Sequence, residues 1–148
     1  VDQITIPWSV FQQDVVNLAQ QIENSNKRYE VIVAITRGGL VPSVILAHKL
    51  KIRAIDTIDL RSYSDEHEQD DTVRIVRACD YVLIHRKGKG VLIVDDLIDT
   101  GNTIEAARKM LPEADVAVVY ARSNKIDSVD YYGRAKPNDT WLVFPFET

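Results

Sequence analysis

Val91-Leu92-Ile93-Val94-Asp95-Asp96-Leu97-Ile98-Asp99-Thr100-Gly101-Asn102-Thr103 changes character twice within thirteen residues. Four apolar residues run straight into two adjacent carboxylates, a third carboxylate follows, and a small hydroxyl-rich turn closes the stretch. The apolar run predicts a strand buried on both faces, as in a parallel sheet. The segment from Asn102 to Met110 predicts the helix that follows it. Acidic groups and free backbone N–H groups therefore meet at the carboxyl end of a strand, where open α/β sheets bind ligands. A turn at a helix start suits a phosphate. Carboxylates suit sugar hydroxyls and a magnesium ion. A ribose phosphate combines all three.

Working outward, the same alternation of apolar runs and helical patterns recurs. Ser9 is expected to cap a first helix in which Phe11, Val15, Leu18 and Ile22 recur at helical spacing, ending near Asn24 to Lys27. Val31 to Ile35 predicts a second buried strand, broken by Arg37-Gly38-Gly39. Pro42 stands where a helix would begin, and Val44 to Leu50 continue it. Arg53 to Ile58 predicts a further strand. Leu60 to Asp71 is polar and aperiodic, a long loop of the kind that is usually functional. Val73 to Val76 and Tyr81 to His85 are expected to be two strands of an antiparallel pair or meander, and Lys87-Gly88-Lys89-Gly90 a turn. Val116 to Tyr120 predicts another buried strand. Asp130 to Tyr132 and Trp141 to Phe144 are expected to pair as a small carboxyl-terminal element. The fold class is thus α/β: a mainly parallel twisted sheet flanked by helices.

Composition agrees with one domain over residues 1–148. Hydrophobic residues make up 45% and charged residues 27% of the chain, ordinary for a globular protein. A net charge of −4 argues against nucleic acid as a partner. The lone Cys79 excludes an internal disulfide and a four-cysteine metal site. No apolar run approaches a membrane span, and Val1 to Ile6 has no signal-peptide pattern, so a cytoplasmic protein is expected. The sequon Asn138-Asp139-Thr140 is then a chance match. His48 and His85 have no His or Cys partner at metal-ligand spacing.

Residues 91–103 resemble, over their full length, the phosphoribosyl pyrophosphate signature of the type I phosphoribosyltransferases, closest to the xanthine-guanine and hypoxanthine-guanine branch. The resemblance implies that Asp95 and Asp96 bind the ribose hydroxyls, directly or through Mg2+, and that Asp99 handles a purine proton. It implies that Thr100, Gly101, Asn102 and Thr103 cradle the 5′-phosphate. Asn102 replaces a second Gly of many relatives, and Asn tolerates the left-handed region better than most residues. Thr36-Arg37-Gly38-Gly39 corresponds to the loop that holds pyrophosphate, and an Arg offers a fork of donors to its oxygens. Ser62 and Tyr63 fall in the family's flexible loop, about residues 60–72, which closes over the substrate. His67, in the same loop, is expected to be exposed rather than catalytic. The core is expected over about 28–120 and a small hood over about 121–148.

In that hood the resemblance places Arg122, Trp141, Leu142 and Glu147 on the purine. Arg122 stands where relatives read the 6-oxo group with Lys, and Glu147 where close relatives have Asp, which leaves the preferred base open. Because Asp99 occupies the purine N7, Arg122 is expected to take O6 alone. For Trp141 and Phe144 the competing expectation is core packing. The implied activity is purine salvage: transfer of the phosphoribosyl group to N9 of a 6-oxopurine, giving a nucleoside 5′-monophosphate and pyrophosphate. The implied partners are these small molecules and a second copy of the chain, as homodimer or homotetramer. Two alternatives stay open, a non-catalytic phosphoribosyl pyrophosphate-sensing regulator and a transferase for another nitrogen base.

Overall fold

The computed structural model describes residues 2–63 and 72–148. A six-stranded sheet organises the chain. Its strands are β2 (Val31–Thr36), β3 (Ala54–Tyr63), β4 (Thr72–Arg77), β5 (Val91–Ile98), β6 (Asp115–Arg122) and β7 (Tyr131–Lys136), in the spatial order β4-β3-β2-β5-β6-β7. Every pairing is parallel except β3 with β4. A separate two-stranded ribbon pairs β1 (Asp2–Thr5) with β8 (Thr140–Val143), also in parallel. Helices α1 (Trp8–Asn24), α2 (Leu40–Leu50), α3 (Tyr81–His85) and α4 (Asn102–Met110) complete the fold.

Period-two alternation along β5 divides the core. Leu92 and Val94 pack with Phe11, Leu18 and Ile22 of α1 and Leu46 of α2. Val91 and Ile93 pack with Ile104, Ala107 and Leu111, on and just after α4. The central strand is therefore apolar on both faces, as its sequence predicts. The helical spacing of Phe11, Val15, Leu18 and Ile22 puts all four in the core. A fifth inward residue, Asp14, is fully buried: its carboxylate accepts from the Tyr120 hydroxyl at 2.6 Å and pairs with Arg134 at 2.9 Å.

Several expectations are corrected. The first helix begins at Trp8 after Pro7 rather than on a Ser9 cap. The segment from Leu60 to Tyr63 is not loop: Leu60 to Tyr63 pair with Ile75 to Thr72, so partners far along the chain extend β3. The rest of the expected loop, residues 64–71 with His67, lies outside the described residues. Tyr81 to His85 is a short helix, not a strand. The Asp80 carboxylate accepts the Val82 N–H at 2.7 Å and caps it, and of its apolar residues Leu83 alone is buried. A five-residue apolar run carries too little periodicity to separate the two. The carboxyl-terminal strands do not pair with each other. Tyr131 to Lys136 extends the main sheet beside β6, and Thr140 to Val143 takes β1 as its partner.

Candidate active site

The chain leaves β2 toward β3 on one side and β5 toward β6 on the other, while β2 and β5 lie side by side. This is a topological switch point, and a crevice opens beyond the carboxyl ends of the two strands. Into it the chain delivers the loop after β2, residues Arg37 to Gly39, and the end of β5 with the turn that starts α4. The carboxylates lie on the strand itself, since β5 continues through Ile98.

Gly38 and Gly39 permit this convergence. A Cβ on Gly38 would fall 2.3 Å from the Asp96 carboxylate, and one on Gly39 would fall 2.4 Å from the Val94 carbonyl oxygen. Both contacts lie well inside van der Waals distance, so only bare backbone lets the loop close against β5. The peptide between Thr36 and Arg37 is cis.

Asp95 is buried and Asp96 half-buried, and the Asp95 carboxylate accepts the Asp96 N–H at 2.9 Å. Burial pushes the Asp95 carboxyl well above the usual value of 3.8, and the charge of Asp96 pushes it in the same direction. Burial also raises Asp96, with Glu147 contributing a like charge. These are anions held at a cost, a state that a cation or a set of hydroxyl donors relieves.

The turn after β5 is a cradle. Gly101 carries φ +92°, a conformation that side-chain-bearing residues rarely adopt, and caps α4, its carbonyl accepting from Glu105 N–H at 2.9 Å. The left-handed residue is thus Gly101, and Asn102 is simply the first residue of the helix. The first N–H groups of α4 have no partner within the helix and carry partial positive charge. A cavity of about 150 Å³ is lined by Asp95 through Gly101, Thr103 and Ile104. A second, of about 480 Å³, is lined by Arg37, Gly38, Asp96, Phe146 and Glu147. Asp96 is common to both.

Asp99 projects beyond the cradle and meets two cations. Arg122 Nη1, at the end of β6, is 3.5 Å from its Oδ1, and Lys136 Nζ, at the end of β7, is 4.0 Å from the same atom. Of the remaining residues expected on the purine, Trp141 is 63% exposed on β8. The Leu142 side chain is buried in the core, so only its backbone is free to meet a ligand. Phe144 is core as well, stacked on Phe146 at 5.3 Å. Glu147 stands across the larger cavity with Arg37 and Asp96, not beside Arg122. Ser62 is exposed near the end of β3, and Tyr63 ends that strand. Lys136 and Phe146 escaped the sequence reading, for a lysine before Pro137 and a third aromatic near the terminus carry no distinguishing pattern.

Among the described residues no three His, Cys, Asp or Glu side chains form a metal cage. Two adjacent carboxylates suit magnesium nonetheless, since that ion commonly takes one or two carboxylates and completes its shell with substrate phosphates and water.

A phosphate cradle, a carboxylate pair and an Arg-Gly-Gly loop converging at this switch point define a phosphoribosyltransferase. Residues 7–145 match the phosphoribosyl transferase domain family, and the chain belongs to it. It is 39% identical over 145 residues to the xanthine-guanine phosphoribosyltransferase of Chromohalobacter salexigens, covering 98% of this chain and 84% of that one. The purine phosphoribosyltransferase of Pyrococcus horikoshii superposes with a TM-score of 0.78 at 26% identity, covering 100% of this chain and 95% of that one. A hypothetical protein from Neisseria gonorrhoeae with bound ppGpp superposes with a TM-score of 0.81 at 26% identity, covering 99% and 90%.

Proposed function

We propose that this protein transfers the 5-phosphoribosyl group from phosphoribosyl pyrophosphate to N9 of guanine, xanthine or hypoxanthine in purine salvage. The observation that carries this reading is Asp99, a carboxylate set between the phosphate cradle and the cationic ends of β6 and β7. The N–H groups at the start of α4, with Thr100 and Thr103, anchor the 5′-phosphate. Asp95 and Asp96 hold the ribose hydroxyls. Arg37 and the Gly38-Gly39 backbone receive the pyrophosphate. Arg122 donates to O6, Trp141 offers its open face to the base, and the backbone at Leu142 and the Glu147 carboxylate border the base edge. As the C1′–oxygen bond breaks and the N9–C1′ bond forms, Asp99 accepts or shares the purine proton. Magnesium, held by Asp95 and Asp96 together with the substrate, supplies positive charge to the departing pyrophosphate. Orienting two bound reactants is worth about 7–11 kcal/mol of the barrier.

Retention of Asp99 beside two cations favours catalysis over mere sensing. Ser62 and Tyr63 lead into the closing loop. No described helix is long and apolar enough to cross a membrane, and we place the enzyme in the cytoplasm as a homodimer or homotetramer, a state light scattering reads directly. The ppGpp bound by the Neisseria protein favours one addition: a guanosine nucleotide carrying pyrophosphates competes for the same receptacle here. The deciding experiment measures pyrophosphate release with guanine, hypoxanthine, xanthine, adenine and uracil in turn, with magnesium. Release with at least one 6-oxopurine is expected, and activity with uracil alone overturns the substrate assignment.

A further inference from the structure

Lys136 is the one buried ammonium beside the site, and nothing in the reaction as described uses it. The side chain is 5% exposed, in a class of residue almost never buried without a partner. Its register partner across the parallel β6–β7 pair is Arg122, so two cations sit directly side by side. Such neighbours repel unless an anion lies between them, and the Asp99 carboxylate lies within 4.0 Å of both.

The ammonium has three protons to place. It donates to the Thr140 carbonyl at 2.7 Å and, more weakly, to the Pro137 carbonyl at 3.4 Å, and faces Asp99 with what remains. Thr140 immediately precedes Trp141. The turn between these carbonyls is also stitched to the segment after Arg122: the Ser123 hydroxyl donates to the Lys136 carbonyl at 2.8 Å, and the Asn124 N–H to the Asn138 side chain at 3.2 Å.

We propose that Lys136 is a positioning residue for the purine, a buried strut that fixes the carbonyl before Trp141 relative to the Asp99 carboxylate. It sets the distance between the aromatic face that holds the base and the group that handles its proton, without touching the base itself. Two substrates bind, but the strut reaches the receptacle of only one, so its removal weakens purine binding and spares the phosphoribosyl donor.

This rests on the transferase reading, and turnover of the unmodified protein with a 6-oxopurine tests that reading separately. The variants are K136M, which removes the charge and every donor, and K136Q, which keeps a donor for the Thr140 carbonyl. Both are made in a W8F background, so that Trp141 is the sole tryptophan. Expected for K136M is a KM for guanine at least tenfold higher, a KM for phosphoribosyl pyrophosphate within twofold of the parent, and Trp141 quenching by guanosine monophosphate that needs at least tenfold more ligand. K136Q is expected to lie between the two, and it carries the same comparison should K136M not fold. Equal rises in both KM values, or a loss of kcat alone that follows a lowered melting temperature, overturns the proposal. So does a KM for guanine that stays within twofold of the parent.

Discussion

At the scale of the residue, Asp95 is a carboxylate kept where charge is unwelcome. Its folded pKa is raised, by burial first and by the Asp96 charge second. Between the unfolded value and that raised value the folded chain binds more protons than the unfolded one, so stability falls as pH rises through that window. The penalty is complete above the raised value and absent below the usual 3.8. D95N removes the charge and keeps an acceptor for the Asp96 N–H. In EDTA at pH 8 this variant is expected to melt higher than its parent, by about 2–4 °C for each kcal/mol recovered, the gap closing as pH falls toward 4. Calorimetric scans across pH check it; a D95N protein that melts lower at pH 8 refutes the reading. Asp99 is the opposite case, half exposed and flanked by Arg122 and Lys136. D99N is expected to lower kcat by about 10²–10⁴-fold while calorimetry still finds phosphoribosyl pyrophosphate binding at near-parental affinity. Unchanged turnover removes its role on the purine proton.

At the scale of the element, what joins α1 to the sheet is polar. Asp14 sits among the apolar residues of the helix and holds the Tyr120 hydroxyl and the Arg134 guanidinium. The approach is close: a Cβ on Gly133 would lie 2.6 Å from the Asp14 carbonyl oxygen and 2.8 Å from that of Val119. D14A strands the Tyr120 hydroxyl and opens a gap, and is expected to cost about 2–4 kcal/mol in urea unfolding. A loss under about 0.5 kcal/mol, the scale of a surface change, contradicts the arrangement. Elements whose cause is local were legible in the sequence. The stripe of Phe11, Val15, Leu18 and Ile22 declares α1, and the apolar runs from Val31 and Val91 declare strands buried on both faces. Elements whose cause is a distant partner were not. Nothing in Leu60 to Tyr63 announces β4, nothing in Asp2 to Thr5 announces β8, and the helix at Tyr81 depends on a single Asp80 cap. The site divides the same way. Its phosphate and ribose residues are consecutive in the chain and readable, whereas Lys136 reaches Asp99 only once β7 lies beside β6.

At the scale of the whole molecule, the chain's opening strand supports its far end. Gln3 pairs with Trp141 and Thr5 with Val143, and the Ile6 N–H donates to the Val143 carbonyl at 2.8 Å. Removing residues 1–6 is expected to leave the six-stranded sheet folded, by circular dichroism, while raising the KM for guanine severalfold more than that for phosphoribosyl pyrophosphate. Equal effects on the two would mean that the ribbon serves only to stabilise the fold. One last property belongs to the molecule as a unit, because Asp96 forms part of the wall of both chambers in the crevice. When the first guest neutralises that carboxylate, the second enters an altered field, and linkage makes the influence mutual. Order of arrival is thereby inscribed in the placement of one side chain, and cooperativity between reactants needs no movement of the backbone.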